Sequence, residues 1–325
     1  MNPSLQKICE DFIVNRDAVQ KAFKWDLSYV YPVCANIFCA RGRIVNPEQL
    51  KESRKVIDEN TGLLSNFRGN IRPILAAMLA LSSDPASQME QAKENYALLK
   101  KEFRGTEYLA MAAFLLTNMA SRTQVEEKTA RGKEIYQRMK KEHPFLTGGE
   151  DSVFAVLMAF SEKTDDELIS DMEACYQALK ARFHIGNEVQ TVSHVLAMTD
   201  GESEKKAQRV IDLYNAVRDA GVKYGKNHEL ATLAALSLTE TDIPTLVEEI
   251  READAFLMTQ KGYGVLGLGA QQRAMNAAMI VSDQYTSREQ VRTASMTSTL
   301  ALVIATEMAM CAIAASVSAM ATSSH

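Results

Sequence analysis

With 325 residues, 46% of them apolar and 24% charged, the chain carries enough apolar material for a sizeable core. Its formal net charge of -5 excludes the basic excess by which a sequence-independent nucleic-acid binder displaces counterions, and the pairs Lys100-Lys101 and Lys140-Lys141 have acids beside them and read as solvated helix ends. Five scattered cysteines with no secretory signal before them point to a reducing, cytoplasmic compartment rather than a disulfide framework.

Abundant Ala, Leu, Met, Glu and Lys, with few Gly and Pro, favour helix throughout, and no alternating strand pattern interrupts it. Residues 1–66 read as a leading helix, a second around Leu27 to Cys39, and a third after the capping pair Asn46-Pro47. We take them as an N-terminal cap on the helices beyond residue 66. From Phe67 a pattern recurs: an aromatic-and-glycine corner, an Ala-rich apolar helix, a polar turn, and a charged amphipathic helix. The corners are Phe67-Arg68-Gly69, Phe103-Arg104-Gly105, Phe145 to Gly149, Phe183 to Gly186, Tyr224-Gly225 and Tyr263-Gly264, with aromatic spacings of 36, 42, 38, 41 and 39. Two helices per period near forty predict a helical repeat array.

The first helices, such as Val153 to Phe160 and Leu230 to Leu238, are apolar on nearly every side, which predicts burial between neighbouring units. The second helices end near a ring, Tyr96, Tyr136, Tyr176, Tyr214 or Phe256, expected to plug the seam to the next unit. Asp84-Pro85, Asp242 before Pro244, and the capping-box spacings Thr123/Glu126 and Thr164/Glu167 mark helix starts. The predicted fold is all-α: a right-handed array of helical hairpins, α-solenoid or α/α-toroid-like, with a repeat of about 39 residues. It comprises the cap at 1–66, the repeats at 67–290, and an Ala-, Ser- and Met-rich helix and tail at 291–325, in one continuous domain. Leu300 to Ala321 is long enough for a membrane span, but Glu307 lies within it and a basic or aromatic anchor is missing, so packing into the array is expected.

Chemistry-bearing patterns are sparse. Gly262-Tyr263-Gly264-Val265-Leu266-Gly267 has the glycine spacing of a dinucleotide loop, but a helix rather than a strand precedes it, so it reads as an inter-repeat corner. Glu107, Asp151, Glu188 and Glu229 stand at the starts of apolar helices, where acids ordinarily satisfy exposed amides and the helix dipole. Stacked units would also bring such positions to one edge, where Arg68, Asn70, His194 and Arg273 complete a candidate polar cleft. His194 is singular in lying inside an apolar helix, whereas His228 and Glu229 are expected to point apart as helical neighbours. No paired-histidine or Cys-x-x-Cys metal motif and no phosphate loop is present, and no cofactor is implied.

Trp25-Asp26 with Tyr31-Pro32-Val33-Cys34-Ala35-Asn36, Ser65-Asn66-Phe67-Arg68-Gly69-Asn70, Glu142-His143-Pro144-Phe145-Leu146, and Glu150-Asp151-Ser152-Val153-Phe154 form a specific set of segments. Through them, and through Val192 to Leu196 and Glu229 to Leu233, the chain resembles a bacterial family known as domain of unknown function 4003. The resemblance covers roughly residues 1–290, leaves the tail aside, brings no residue roles, and implies a cytoplasmic bacterial protein. The residues themselves suggest two functions. One is a binding or scaffolding protein whose groove takes a peptide, a protein partner or a small ligand. The other is an enzyme in which Glu107, Asp151 and Glu229 act as acid-base groups or metal ligands, Arg68 and Arg273 hold an anion, and His194 assists.

Overall fold

The computed structural model describes residues 1–286, apart from Trp25, Leu27, Ile185, Val265 and Leu266. Fourteen α-helices fill the described residues. In chain order they are α1 (Pro3–Ala22), α2 (Val30–Cys39), α3 (Pro47–Asn60), α4 (Arg72–Leu79), α5 (Pro85–Leu99), α6 (Glu107–Met119), α7 (Arg122–Glu142), α8 (Asp151–Met158), α9 (Asp165–Phe183), α10 (Gly186–Ala197), α11 (Ser203–Asp219), α12 (Leu230–Ser237), α13 (Ile243–Met258) and α14 (Ala270–Thr286). The fold is all-helical. Among the described residues no strand forms, only an isolated bridge between Tyr263 and Leu268. No helix among them is long and apolar enough to cross a membrane, and Leu300 to Ala321 lies outside them.

Seven of the fourteen helices start at a side chain that satisfies an amide left without a partner in the first turn. Asn46, Asp84 and Asp242 accept from Glu48, Ser87 and Thr245, each with proline at the first or second helical position. Thr164 and Glu167 form a reciprocal capping box on α9. The spacing Thr123/Glu126 does not do so on α7. Ser121 caps that helix reciprocally with Gln124, because α7 begins at Arg122 and Thr123 already lies inside its first turn.

Each odd-numbered helix packs on the even-numbered helix that follows it. The odd helices also touch in succession, α1 to α3 and so on to α13, and α1 in turn touches both α13 and α14. Along the even series α2 meets α4, α6 meets α8, and α10, α12, α14 and α2 meet in that order. The seam where the two ends of the described chain meet is polar. Glu249 on α13 accepts from Asn2 Nδ2 at 3.1 Å, Gln284 Nε2 at 2.8 Å and Tyr285 Oη at 2.6 Å.

The even helices are short and buried nearly all round. Every residue of α8 and of α12 is buried, as are Pro73–Leu79 of α4 and 274–283 of α14. Small side chains permit this. At Gly132 on α7 an added Cβ would lie 3.3 Å from Val156 Cα, so glycine lets α7 approach the α8 backbone directly.

Rings tie four of the corners to the odd helix two elements on. Phe67 meets Tyr96 edge-on at 5.3 Å, Phe103 meets Tyr136 at 5.8 Å, and Phe183 meets Tyr214 at 5.1 Å. Tyr136 also donates to Gly148 O in the next corner at 3.0 Å, so this ring does bridge the seam. Phe145, read as the corner ring of the third unit, is 99% exposed. His143 takes its place and packs on Tyr176 at 4.4 Å, because the corner here carries Pro144 and extra residues that turn Phe145 outward.

Cations close the far ends of the even helices, where carbonyls lack amide partners. Arg209 on α11 donates to Ser237 O, Thr239 O and Thr241 O after α12. Arg131 on α7 donates to Ala159 O, Ser161 O and Lys163 O after α8, and pairs with Asp165 at 2.8 Å.

Candidate functional site

The corners hold most of the sequence-selected polar residues, and local backbone engages nearly all of them. Arg68, in a short 3-10 turn, donates to Thr61 Oγ1 at 3.0 Å, Thr61 O at 2.7 Å and Asp58 O, tying the turn to the end of α3. The amide of Asn70 donates to Glu107 Oε2 at 3.1 Å, which joins two successive corners. A Cβ on Gly69 would come within 2.4 Å of that same oxygen, so a larger residue there would displace the Glu107 carboxylate.

Glu229 repeats the theme from the end of its own corner. Its carboxylate accepts from the Asn227 amide at 3.0 Å, and a Cβ on Gly225 would lie 2.3 Å from its Cδ. His228 sits in the turn before α12 rather than on the helix, so its Nε2 comes within 3.8 Å of Glu229 Oε1 instead of pointing away. Arg273 grips Asp254 with two hydrogen bonds of 2.8 and 3.1 Å and thereby pins α14 to α13. It meets none of the other candidates.

Asp151 and His194 are the candidate side chains brought face to face. Asp151 opens α8 and accepts from the Gly148 amide at 2.8 Å, while its other oxygen lies 3.5 Å from His194 Nδ1 on α10. Both are buried, at 3% and 1% exposure. Burial pushes the Asp151 carboxyl up to about 7 against the opposing pull of the Gly148 amide. Burial, with a smaller push from His143, takes the His194 imidazole down to about 3. His194 packs its ring on Phe154 at 5.5 Å, and its Nδ1 makes no hydrogen bond. Beside it lies a cavity of about 10 Å³, the room of a single water, lined by Met139, His143, Met172, Glu173, Gln190 and His194 among others. His143 Nε2 meets Glu173 at 2.8 Å, and Gln190 Nε2 donates to Thr147 Oγ1 at 3.0 Å.

Sequence reasoning passed over Gln190, Asn36, Asp283 and Glu249. Asn36 Nδ2 on α2 reaches Asp283 Oδ1 on α14 at 3.3 Å, and burial raises the Asp283 carboxyl well above its ordinary range. Their helices pair only because the ends of the described chain meet, which no local pattern signals. Among the described residues no group of three or more His, Cys, Asp or Glu side chains is arranged to hold a metal ion. The glycine-rich stretch folds on itself. Leu268 N donates to Gly262 O at 2.9 Å and Gly264 N to Leu268 O at 3.1 Å, with no strand before it. Cys9, Cys34 and Cys175 are buried and free, Cys39 is half-buried and free, and Cys311 lies outside the described residues.

A search for related solved structures returns no match. An uncharacterised protein of Bacillus subtilis (strain 168), YeaA, is 26% identical over 253 residues, covering 72% of this chain and 74% of that protein. The family described as Protein of unknown function (DUF4003) matches residues 15–309, so the match continues past residue 290, where the resemblance was expected to stop, and into the Ala- and Ser-rich segment. The chain belongs to that family.

Proposed function

We propose that this chain is a binding scaffold: a closed ring of seven helical hairpins, with the odd helices outside and the even helices inside, that docks an acidic protein segment on its corner end. The contact of α1 with α13 and α14 supports closure, and residues 1–66 then shield the terminal face by meeting the other end. Binding is favoured over catalysis because Glu107, Asp151 and Glu229 each accept from a corner amide, while Arg68 and Arg273 are engaged elsewhere.

The observation that carries the docking face is the exposure of Leu63, Leu64 and Phe145, at 86%, 100% and 99%. All three lie in loops joining an odd helix to the next even one, which such a ring gathers at one end. Exposed cations outnumber exposed acids around those connections, with Lys100, Lys101, Arg104, Lys140 and Lys141 against Glu59, Glu102 and Glu142. Exposed acids dominate the opposite turns instead, with Asp84, Glu162, Asp166, Asp200, Glu202 and Asp242. Apolar anchors among cations suit a partner with spaced apolar residues and excess acid.

The test is selection from a displayed library of acidic and basic amphipathic peptides, followed by anisotropy on the enriched sequences. Acidic peptides with two or three large apolar residues should bind, weaken with salt, and lose about tenfold or more when Leu64 and Phe145 are both changed to Glu. Enrichment of basic peptides, or binding untouched by the double change, would refute this face. Binding to phosphatidylglycerol vesicles without any acidic peptide would also refute it.

A further inference from the structure

The loops between helices divide by charge according to which way they lead. In loops running from an odd helix to the next even one, Lys100, Lys101 and Arg104 are exposed, and Lys24, Lys223, Lys226 and Lys261 join them. Among the described residues Glu102 is the one exposed acid in those loops. Loops running from an even helix to the next odd one reverse the sign. Their exposed acids are Asp84, Glu162, Asp200, Glu202, Glu240 and Asp242, and their exposed cations, Arg41 and Arg43, share the single turn between α2 and α3.

Several of these charges have no partner within the chain. Lys223, Lys226 and Lys261 form no ion pair with a described residue, and neither do Glu162, Asp200 and Glu240. Apolar surface accompanies the charge on both sides. Leu63, Leu64 and Phe145 stand among the cations. On the acidic side a half-buried apolar residue precedes the acid in three turns, as Leu81 before Asp84, Phe160 before Glu162, and Leu238 before Glu240.

We propose that the acidic segment docked by the corner end is the opposite end of a second copy of this chain, so that copies stack head to tail. The inference rests on the binding reading above and names its partner. Lys223, Lys226 and Lys261 then face acids such as Glu162, Asp200 and Glu240 of the next copy, while Leu64 and Phe145 reach the apolar residues beside those acids. Charge of opposite sign on the two faces sets the orientation of approach, and the exposed apolar side chains anchor the contact.

Sign also decides the symmetry. Two copies meeting corner to corner would set cations against cations, and two meeting turn to turn would set acids against acids, each costing free energy. Head-to-tail contact avoids both. Such a contact is heterologous, so every pair leaves one free face of each kind and assembly continues beyond a dimer.

The test uses the full chain in sedimentation velocity over rising concentration. At about 20 mM salt the mean mass should climb past the dimer by about 100 μM protein, and about 500 mM salt should return it to the monomer. An acidic peptide that binds the corner end should dissolve the native assemblies by competing for the same face. Leu64→Glu with Phe145→Glu, and separately Glu162→Lys with Glu240→Lys, should each weaken self-association about tenfold or more. Mixing the two double variants should give a heterodimer that grows no further, because each keeps the one face the other lacks. A chain that stays monomeric at low salt yet binds acidic peptides would overturn self-stacking and leave the binding reading intact. Failure of both assembly and peptide binding would overturn both. Growth that stops at a dimer, or double variants that fail to pair when mixed, would overturn the head-to-tail arrangement.

Discussion

His194 Nδ1 lies 3.5 Å from Asp151 Oδ1 across the α8–α10 boundary, and burial moves their two titrations in opposite directions. A raised carboxyl and a lowered imidazole leave Asp151 protonated and His194 neutral over the acid range. The unfolded chain holds the same single proton there, but on the histidine.

That coincidence gives a pH prediction with a definite sign. Asp151 rises from 3.8 to about 7, so alone it favours the folded state at low pH and loses that contribution as pH climbs through this window. His194 falls from 6.5 to about 3, so alone it penalises folding at low pH and the penalty fades as pH approaches 6.5. Between about pH 4 and 6.5 the two slopes cancel, since proton counts in the folded and unfolded pair are equal. Asp151→Asn should therefore gain stability as pH rises across this range, and His194→Asn should lose it. Each slope should approach about 1.4 kcal/mol per pH unit relative to the native chain. Urea unfolding at three pH values checks this, and parallel curves for all three proteins would reject the shared-proton account.

The carbonyl clamp at Arg209 predicts a large, local cost. Arg209→Met removes donors from Ser237 O, Thr239 O and Thr241 O and should lower stability by about 2–4 kcal/mol. Hydrogen exchange should rise most around the end of α12. A uniform small loss below about 0.5 kcal/mol would mean that water satisfies these carbonyls equally well.

The third corner offers a contrast between neighbours. His143 packs on Tyr176 and bonds Glu173, whereas Phe145 faces solvent. Phe145→Ser should leave the thermal midpoint within about 1 °C, while His143→Ala should lower stability by about 1–3 kcal/mol. The reverse order would restore Phe145 as the corner ring.

Gly132 gives a packing prediction. Gly132→Leu drives a side chain into the α8 backbone at Val156 and should cost about 3 kcal/mol or more. Gly132→Ala sets better helix propensity against a 3.3 Å contact and should change stability by less than about 1 kcal/mol.

The helices were legible because capping and periodicity are local. Thr164 with Glu167, Asn46 before Pro47, and the Ala-rich run at Leu230 need no distant partner to act. The corner aromatics were legible for the same reason, except where Pro144 and added residues displaced Phe145 in favour of His143. Glu107, Asp151 and Glu229 stand at or beside helix starts, as their sequence positions suggested. Each accepts from a backbone amide. Asn36 with Asp283, and Asn2 with Glu249, were illegible because each pair is 247 residues apart, and only the meeting of the described chain's ends creates it.

The most direct test of the closed ring is the separation of α1 and α13 in solution. Spin labels on Ser4→Cys and Ala255→Cys, both exposed sites, measured by double electron–electron resonance in the full chain, report it. A closed ring predicts a single narrow distribution near one packing distance plus the label arms, about 15–30 Å. An open array would separate its first and last outer helices by six packing steps, about 50 Å, and a distribution centred there would contradict the ring.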